Sequence, residues 1–359
     1  MKYVKPFKKY KDPENITINE LKEIPLVNFI MPAWNEGEIF RNALLSITKL
    51  KYPKIKVIVN AGGSEETIKI ADSFKQYDNF KIIYQKKGEG KLKAINDCLP
   101  YVTEGILYFV DADIYITDEI LIRLLHPLLN LNEKVVMSGH RPLKHQEDKH
   151  FVRYLQMNHN FSFRRLYKRY YTGGISGTNA CMKYEVIKAI GKFSEKKLYA
   201  TDISRGYDVL EKGYKIYTLS DYRSLIYSDV ADNLRVFVKQ RIRWIENSLI
   251  YFYIFKKRNL IKFLGLFSAS LYLIIFPILS ILHLGFFLIG LYILLSFYLK
   301  RLRRILFFKK TRPQLLKKLE FIFYVKILFY IYVEAIINVY ILIDFIFFRK
   351  KFKERRNLL

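Results

Sequence analysis

Short apolar runs alternate with segments of helical periodicity along the first 110 residues. The runs are shorter than a typical core helix and predict buried strands at residues 26–31, 55–59, 81–84 and 106–110. Between them, apolar residues recur every three or four positions and predict helices at residues 36–50, 65–77 and 91–99. Strands that alternate with helices in this way indicate an α/β fold with a mainly parallel, doubly wound sheet.

Polar residues and glycines gather where the predicted strands end. Pro32 is expected to stop the first strand, and Glu36 follows it closely. Residues 61–64 should form a tight turn after the second strand, while Asp111 and Asp113 follow the fourth. The carboxyl ends of parallel strands meet at one edge of a sheet, where ligands bind. We therefore expect these residues to share one crevice.

The pattern changes in the last hundred residues, which are far more apolar. Residues 263–299 carry no charge over 37 positions. As one helix they would span about 55 Å, well beyond a hydrocarbon core of about 30 Å. They therefore predict a helical hairpin across a membrane, with its turn at residues 283–285. Residues 300–318 hold nine basic residues and no acidic one, which predicts a cytoplasmic loop.

A third apolar segment, residues 319–348, contains four polar residues that would share one side of a helix. These are Lys326, Glu334, Asn338 and Asp344. Basic residues flank both ends of the segment, whereas a simple span would leave one basic flank outside the cell. The segment is therefore as consistent with an interfacial or re-entrant helix as with a third span.

The charge of the chain indicates anionic partners, since 61 basic residues face 33 acidic ones and the net charge is +28. Much of the excess flanks apolar segments, which favours membrane headgroups and phosphorylated substrates and argues against nucleic acid. Residues 1–22 lack the apolar core of a signal peptide, and Cys98 and Cys181 lack metal-ligand spacing. These features predict a multi-pass protein of the cell membrane whose N-terminal half lies in the cytoplasm.

Asp111 and Asp113 are the residues with the clearest chemical implication. Only Ala112 separates them, and they follow an apolar strand that would direct both towards the crevice. Carboxylate oxygens bind hard divalent cations such as Mg²⁺ or Mn²⁺, and such ions keep positions open for phosphate oxygens. This pair therefore predicts a divalent metal site that also receives a phosphorylated ligand.

Several short motifs follow one another in a fixed order along residues 26–248. The earlier ones are Pro32–Glu36, Gly90-Lys91, Ala94–Asn96 and Asp111–Asp113. The later ones are Ser176–Ala180, Gly191–Phe193, Thr201-Asp202, Gly213-Tyr214 and Gln240–Trp244. Together they resemble glycosyltransferase family 2, which has the GT-A fold. The last motif resembles the Gln-x-x-Arg-Trp signature of its membrane-embedded, cellulose-synthase-like branch.

The resemblance implies a domain order and a reaction. Residues 1–25 would be a basic extension, residues 26–255 the GT-A domain and residues 256–359 the membrane region. The domain would move a sugar, with inversion, from a nucleotide-sugar donor to a membrane-near, lipid-linked saccharide hydroxyl, with Mn²⁺ or Mg²⁺ as cofactor. The alternatives are a processive polysaccharide synthase and a transferase that acts on polyprenyl phosphate. An inactive scaffold is disfavoured because the catalytic motifs occur together.

The resemblance also implies roles for individual residues. Those expected on the donor side are Pro32, Glu36, Gly62, Lys91 and Asp111. Asp111 and Asp113 would hold the metal, and Asp202 would take the proton of the acceptor hydroxyl. Beside the diphosphate and the acceptor we expect Gln240, Arg243 and Trp244.

Two positions depart from the family pattern. Acidic residues, one of which reads the nucleotide base, usually precede the Gly-Ser of the second turn, where this chain has Ala61 and Gly62. The base of the nucleotide therefore stays open. The acceptor-side motif is usually Glu-Asp and is Thr201-Asp202 here, so the candidate base keeps its place while its neighbour differs.

Structural roles compete with these assignments. Lys91 alone would be read as a solvated helix residue, and Asp202 as the N-cap of a helix. Trp244 could anchor the chain at the membrane interface, where Arg241 and Arg243 would contact lipid headgroups.

Overall fold

A computed structural model of the chain describes residues 16–146, 152, 170–171, 174–195, 200–219, 222–255, 257–311 and 321–347. These residues fall into two compact units. One lies within residues 1–145 and 160–230, the other within residues 146–159 and 231–359. The expected domain boundary at residue 255 falls at the end of a helix that begins at Leu234, so this whole helix lies in the second unit.

The described part of the first unit contains an eight-stranded sheet in the order β3-β2-β1-β4-β9-β6-β10-β8. Its strands are β1 (Val27–Trp34), β2 (Ile55–Gly62), β3 (Phe80–Tyr84), β4 (Ile106–Phe109), β6 (Val135–Met137), β8 (Tyr170–Tyr171), β9 (Ala180–Lys183) and β10 (Ile216–Thr218). The first four run parallel, whereas β9 is antiparallel to both of its neighbours. A smaller sheet, β5-β11-β7, joins β5 (Ile114–Tyr115), β7 (His140–Pro142) and β11 (Ile226–Ser228). The predicted mainly parallel α/β fold is confirmed.

Helices cover both faces of the large sheet. They are α1 (Glu38–Thr48), α2 (Glu65–Asp72), α3 (Gly90–Cys98), α4 (Asp118–Asn130), α5 (Tyr184–Ile190) and α6 (Thr201–Glu211). Successive side chains of β1 point to opposite faces, so Phe29 packs in one core with residues of α1, α2 and α4. Ile30 packs in the other core with residues of α3, α5 and α6. The central strands of the sheet are buried on both sides, which explains why their sequences are largely apolar.

Three predicted boundaries in this unit were wrong. Pro32 does not stop β1, which continues to Trp34. Strand β4 pairs only with residues 27–30 of β1, so Pro32 pairs with Asn60 of β2 alone. The missing N–H of Pro32 is tolerated because no strand pairs with this residue on the β4 side. Ala61 and Gly62 belong to β2, so the turn begins at Gly63. Helix α2 ends at Asp72, five residues before the predicted end at residue 77.

The described residues of the second unit form four long helices: α7 (Leu234–Phe255), α8 (Lys257–Leu282), α9 (Leu284–Thr311) and α10 (Phe321–Phe347). Helices α8 and α9 break at His283, as the predicted hairpin requires, and Gly285 N donates to His283 Nδ1 at 2.9 Å. The two helices approach closely at Gly290, where an added β-carbon would lie 2.2 Å from the Phe276 ring. Within the described residues, three stretches are long and apolar enough to cross a membrane, namely Leu264–Leu282, Leu284–Arg303 and Phe321–Phe347.

The basic segment after the hairpin differs from its prediction. Residues 300–311 continue α9 as a helix instead of forming a loop. Leu, Arg, Lys and Phe alternate there, and most of these side chains are good helix formers, so charge alone does not end the helix. The rest of the predicted loop, residues 312–318, lies outside the described residues.

Candidate active site

The ends of β1 and β2 meet at a close backbone contact. Asn35 has a left-handed conformation with φ of 56°, and its N–H donates to Gly62 O at 3.1 Å. A β-carbon on Gly62 would lie 2.9 Å from the Trp34 ring and 2.6 Å from Gln85 O. There is therefore no room for a larger residue at position 62. The indole of Trp34, which is 37% exposed, lies against the end of β2.

Glu36 is fixed by the start of α2. Its N–H donates to Thr67 Oγ1 at 2.7 Å, and Thr67 Oγ1 donates to Glu36 O at 2.7 Å. Ser64 Oγ accepts from Thr67 N and caps α2. The loop after β1 is thus tied to the turn after β2, which holds Glu36 at the expected crevice.

Four carboxylates converge beyond the end of β4. Burial raises the pKa of Asp113, and the charges of Asp111, Glu36 and Asp229 raise it further. Burial and the charges of Asp111 and Asp229 likewise raise the pKa of Glu36. The sheet pairing of β11 with β5 brings Asp229 there, and its N–H donates to Asp113 O at 3.0 Å. The site therefore concentrates negative charge before any cation is bound.

Lys91 links this cluster to the acceptor-side segment. Its Nζ lies 2.5 Å from Asp111 Oδ1, and its side chain is 32% exposed. Burial alone would lower the pKa of Lys91, but the charges of Asp111 and Asp202 outweigh burial and raise it. The alternative of a solvated helix residue is therefore wrong. One ammonium group is held near carboxylates from both predicted halves of the site.

Asp202 lies in the first turn of α6 and is not its N-cap, because Ala200 occupies the N-cap position with a left-handed φ of 51°. Its Oδ1 accepts from Arg205 Nη2 at 3.0 Å. A β-carbon on Gly177 would lie 2.6 Å from both Asp202 carboxylate oxygens. The glycine of the Ser-Gly-Thr-Asn-Ala motif thus makes room for this carboxylate.

Arg205 supports Asp202 from within the core and was not anticipated. Its side chain is fully buried, with the guanidinium 5.1 Å from the Phe109 ring and 5.9 Å from the Phe193 ring. Asn96 holds Phe193 through hydrogen bonds to its backbone N–H and C=O, at 3.0 and 2.8 Å. The motifs around residues 94–96 and 191–193 therefore help to build the pocket under Asp202.

Asp229 and Arg205 lie at the candidate site but belong to none of the motifs found in the sequence. Asp229 directly follows the short strand β11, so its signal in the sequence is a carboxylate at a strand end. Arg205 lies three residues after Asp202 and four before buried Val209, a spacing that places a charge on the buried face of α6.

The remaining motif lies in the second unit. Gln240, Arg243 and Trp244 all belong to α7, where Gln240 is half-buried and the other two are exposed. Arg241 lies 5.9 Å from the Trp244 ring, within range of a cation–π contact. The roles of the first three residues at the diphosphate and acceptor stay predictions.

The predicted metal site requires side chains that can ligate a divalent ion. Among the described residues, no three His, Cys, Asp or Glu side chains are arranged to hold an ion. Asp111 and Asp113 nevertheless supply hard oxygen ligands within a cluster whose mutual repulsion a cation would relieve. This donor set fits a divalent ion that takes its other ligands from phosphate oxygens and water.

Comparisons with known proteins agree with this geometry. The family described as Glycosyl transferase family 2 matches residues 28–191. YdaM, a probable glycosyltransferase of Bacillus subtilis, is 24% identical over 72% of this chain and 65% of its own length. Poly-beta-1,6-N-acetyl-D-glucosamine synthase of Staphylococcus epidermidis is 22% identical over 64% of this chain and 56% of its own length. The chain thus spans less than two thirds of the length of these relatives.

A solved structure supports the fold. The mannosyltransferase PcManGT of Pyrobaculum calidifontis, in complex with GDP-Man and Mn²⁺, superposes with a TM-score of 0.50 at 20% identity, covering 64% of each chain. Residues 28–191 of this chain therefore form a domain of glycosyl transferase family 2, and the fold of that domain is GT-A.

Proposed function

We propose that this chain is an inverting glycosyltransferase that moves a sugar from a nucleotide-sugar donor to a saccharide hydroxyl at the membrane. One observation carries the proposal. Lys91 pairs with Asp111 and also senses the charge of Asp202. This shared lysine supports a single site that holds the residues expected for donor and acceptor chemistry.

On the donor side, Asp111 and Asp113 would bind a divalent metal, either Mn²⁺ or Mg²⁺. When bound, this ion supplies positive charge for the diphosphate leaving group. Lys91, which pairs with Asp111, would contact a donor phosphate. Pro32, Glu36 and Gly62 line the same strand ends and would receive the nucleoside.

On the acceptor side, Asp202 would accept the proton of the acceptor hydroxyl. The oxygen then bonds to the anomeric carbon as the bond from that carbon to the diphosphate oxygen breaks, which inverts the carbon. Arg205 would hold the Asp202 carboxylate in place through its hydrogen bond. For Gln240, Arg243 and Trp244 of α7 we propose contacts with the diphosphate and with a sugar face.

The membrane helices support an acceptor that is lipid-linked. An α8–α9 hairpin across the cell membrane would keep the catalytic unit at the cytoplasmic surface, where lipid-borne saccharides are accessible. The S. epidermidis synthase, named for a polysaccharide product, favours processive synthesis as a second candidate. Transfer to polyprenyl phosphate is the third, and it differs chemically because that acceptor oxygen is already charged.

The Asp202→Asn variant tests the acceptor assignment. For a hydroxyl acceptor, loss of the base should lower kcat by about 10²–10⁴-fold while the donor Kd stays unchanged. Turnover would be measured in membranes with a panel of labelled nucleotide sugars, and products sorted into lipid-extractable and polymeric fractions.

Asp208→Asn, on the same helix α6, is the matched control and should retain activity. A loss smaller than about tenfold for Asp202→Asn, with donor binding intact, would remove Asp202 as the base and favour polyprenyl phosphate. A polymeric product would favour the processive synthase.

A further inference from the structure

The four described helices of the second unit line a partly open cavity that the proposed reaction does not use. Its volume is about 150 Å³. One water molecule needs only about 10–15 Å³ of such space, so a polyatomic group can enter. Helix α7 contributes Arg241, α8 contributes Ser270, α9 contributes Lys300 and Arg301, and α10 contributes Glu334 and Asn338.

The charged side chains of the lining, which lie among apolar ones, are mainly cationic. Three basic side chains face a single acidic one, Glu334, which forms an ion pair with Arg301. Both partners are nearly buried, with side-chain exposures of 12% and 13%. Buried Asn338 donates to Ser270 Oγ at 3.0 Å. Ionisable groups among apolar helices are costly and usually serve a ligand or a function.

The position of the cavity along the hairpin defines its depth. Arg301 lies eighteen residues after the turn at His283, which corresponds to about 27 Å along the helix. The hydrocarbon core is about 30 Å thick. A hairpin that crosses the membrane therefore brings Lys300 and Arg301 near the level of the lipid headgroups, on the side opposite its turn, while Ser270, thirteen residues before the turn, lies deeper at about 20 Å from it.

We propose that this cavity binds the phosphate group of an anionic membrane lipid. Arginine and lysine are the side chains that pair best with phosphate, and arginine can do so with two parallel hydrogen bonds. Exposed apolar residues beside the cavity, such as Leu266, would contact the acyl chains. A zwitterionic lipid fits less well, because its cationic group would need a carboxylate partner and Glu334, the one carboxylate of the lining, is paired with Arg301.

The same depth bears on α10. Glu334 lies at the centre of this helix and contacts Arg301 at the base of the hairpin. If Glu334 lies at headgroup level, each half of α10 extends only about 20 Å from that level. This length is too short to cross the hydrocarbon core of about 30 Å. The proposal therefore selects the interfacial or re-entrant alternative for this segment.

Lipid binding would be measured on the full chain in nanodiscs of phosphatidylcholine, with and without phosphatidylglycerol. The readouts are phosphatidylglycerol retained in native mass spectra and the midpoint of thermal unfolding. The wild-type chain should retain one phosphatidylglycerol and unfold at a higher temperature when that lipid is present. Lys300→Gln, which replaces an exposed side chain, should weaken retention at least tenfold.

Arg303→Gln is the matched control, because Arg303 is an exposed basic residue of the same helix that does not line the cavity. This variant should retain the lipid as the wild type does. Equal losses in Lys300→Gln and Arg303→Gln would indicate diffuse surface charge and overturn the proposal. If inorganic phosphate in phosphatidylcholine nanodiscs raised the unfolding midpoint as much as phosphatidylglycerol does, the bound phosphate would not need to come from a lipid. If the wild-type chain retained no phosphatidylglycerol, the proposed site would be wrong.

Discussion

At the scale of single residues, the candidate site depends on how Asp202 is confined on its protein-facing side, since 46% of its side chain is exposed. Its carboxylate has Arg205 on one side and the α-carbon of Gly177 on the other. Arg205 lies in a fully buried position against two aromatic rings, so it can move little. Because Arg205 is fixed and one side of the carboxylate is open, a methyl group added at Gly177 would turn the carboxylate towards solvent.

The Gly177→Ala variant tests this confinement. An added methyl group would lie 2.6 Å from both carboxylate oxygens and should displace them. We expect kcat to fall by about 10²-fold, because a base displaced by about 1 Å loses its alignment with the acceptor. Donor affinity, measured as Kd, should change little.

Ser176→Ala is the matched control, since it removes a hydroxyl from the same segment and leaves the space beside Asp202 unchanged. Its kcat should stay near that of the wild type. Full activity of Gly177→Ala with unchanged thermal stability would show that Asp202 is not the group that needs this space.

At the scale of elements, the length of α9 matters for membrane topology. The helix continues to Thr311, beyond the apolar stretch that ends at Arg303. The helical backbone therefore extends the hairpin by about two turns past Arg303. Under the positive-inside rule this end should face the cytoplasm.

Cysteine labelling of intact cells tests this orientation. Thr311→Cys should resist a membrane-impermeant maleimide, whereas His283→Cys at the hairpin turn should react. The two native cysteines, Cys98 and Cys181, are buried and give a low background. Efficient external labelling of Thr311→Cys, with His283→Cys protected, would reverse the topology.

At the scale of the whole molecule, turnover should depend on a divalent ion. A chelator should abolish activity, and Mn²⁺ or Mg²⁺ should restore it, because the paired carboxylates need a cation before they can receive a diphosphate. Asp113→Asn should lose most turnover and bind Mn²⁺ more weakly in a direct titration, while its thermal unfolding stays cooperative. Full activity in excess chelator would contradict the metal assignment.

The sequence determined the fold class and predicted where most candidate site residues lie. Uninterrupted apolar runs identified the parallel strands, because a strand covered on both faces needs apolar residues at every position. Strand ends then located Glu36, Asp111 and Asp113, since the carboxyl ends of parallel strands share one edge. The uncharged stretch before residue 300 identified the hairpin because a membrane core excludes charge.

The tertiary structure decided what depends on residues distant in the chain. Pro32 stays within β1 because β4 is too short to pair with it, and no local pattern reports the length of a neighbouring strand. Asp229 joins the carboxylates through the pairing of β11 with β5, more than a hundred residues apart in sequence. Arg205 supports Asp202 because Phe109 and Phe193 cover it. Periodicity predicts which face of an element is buried, but only the folded chain decides which side chains meet there.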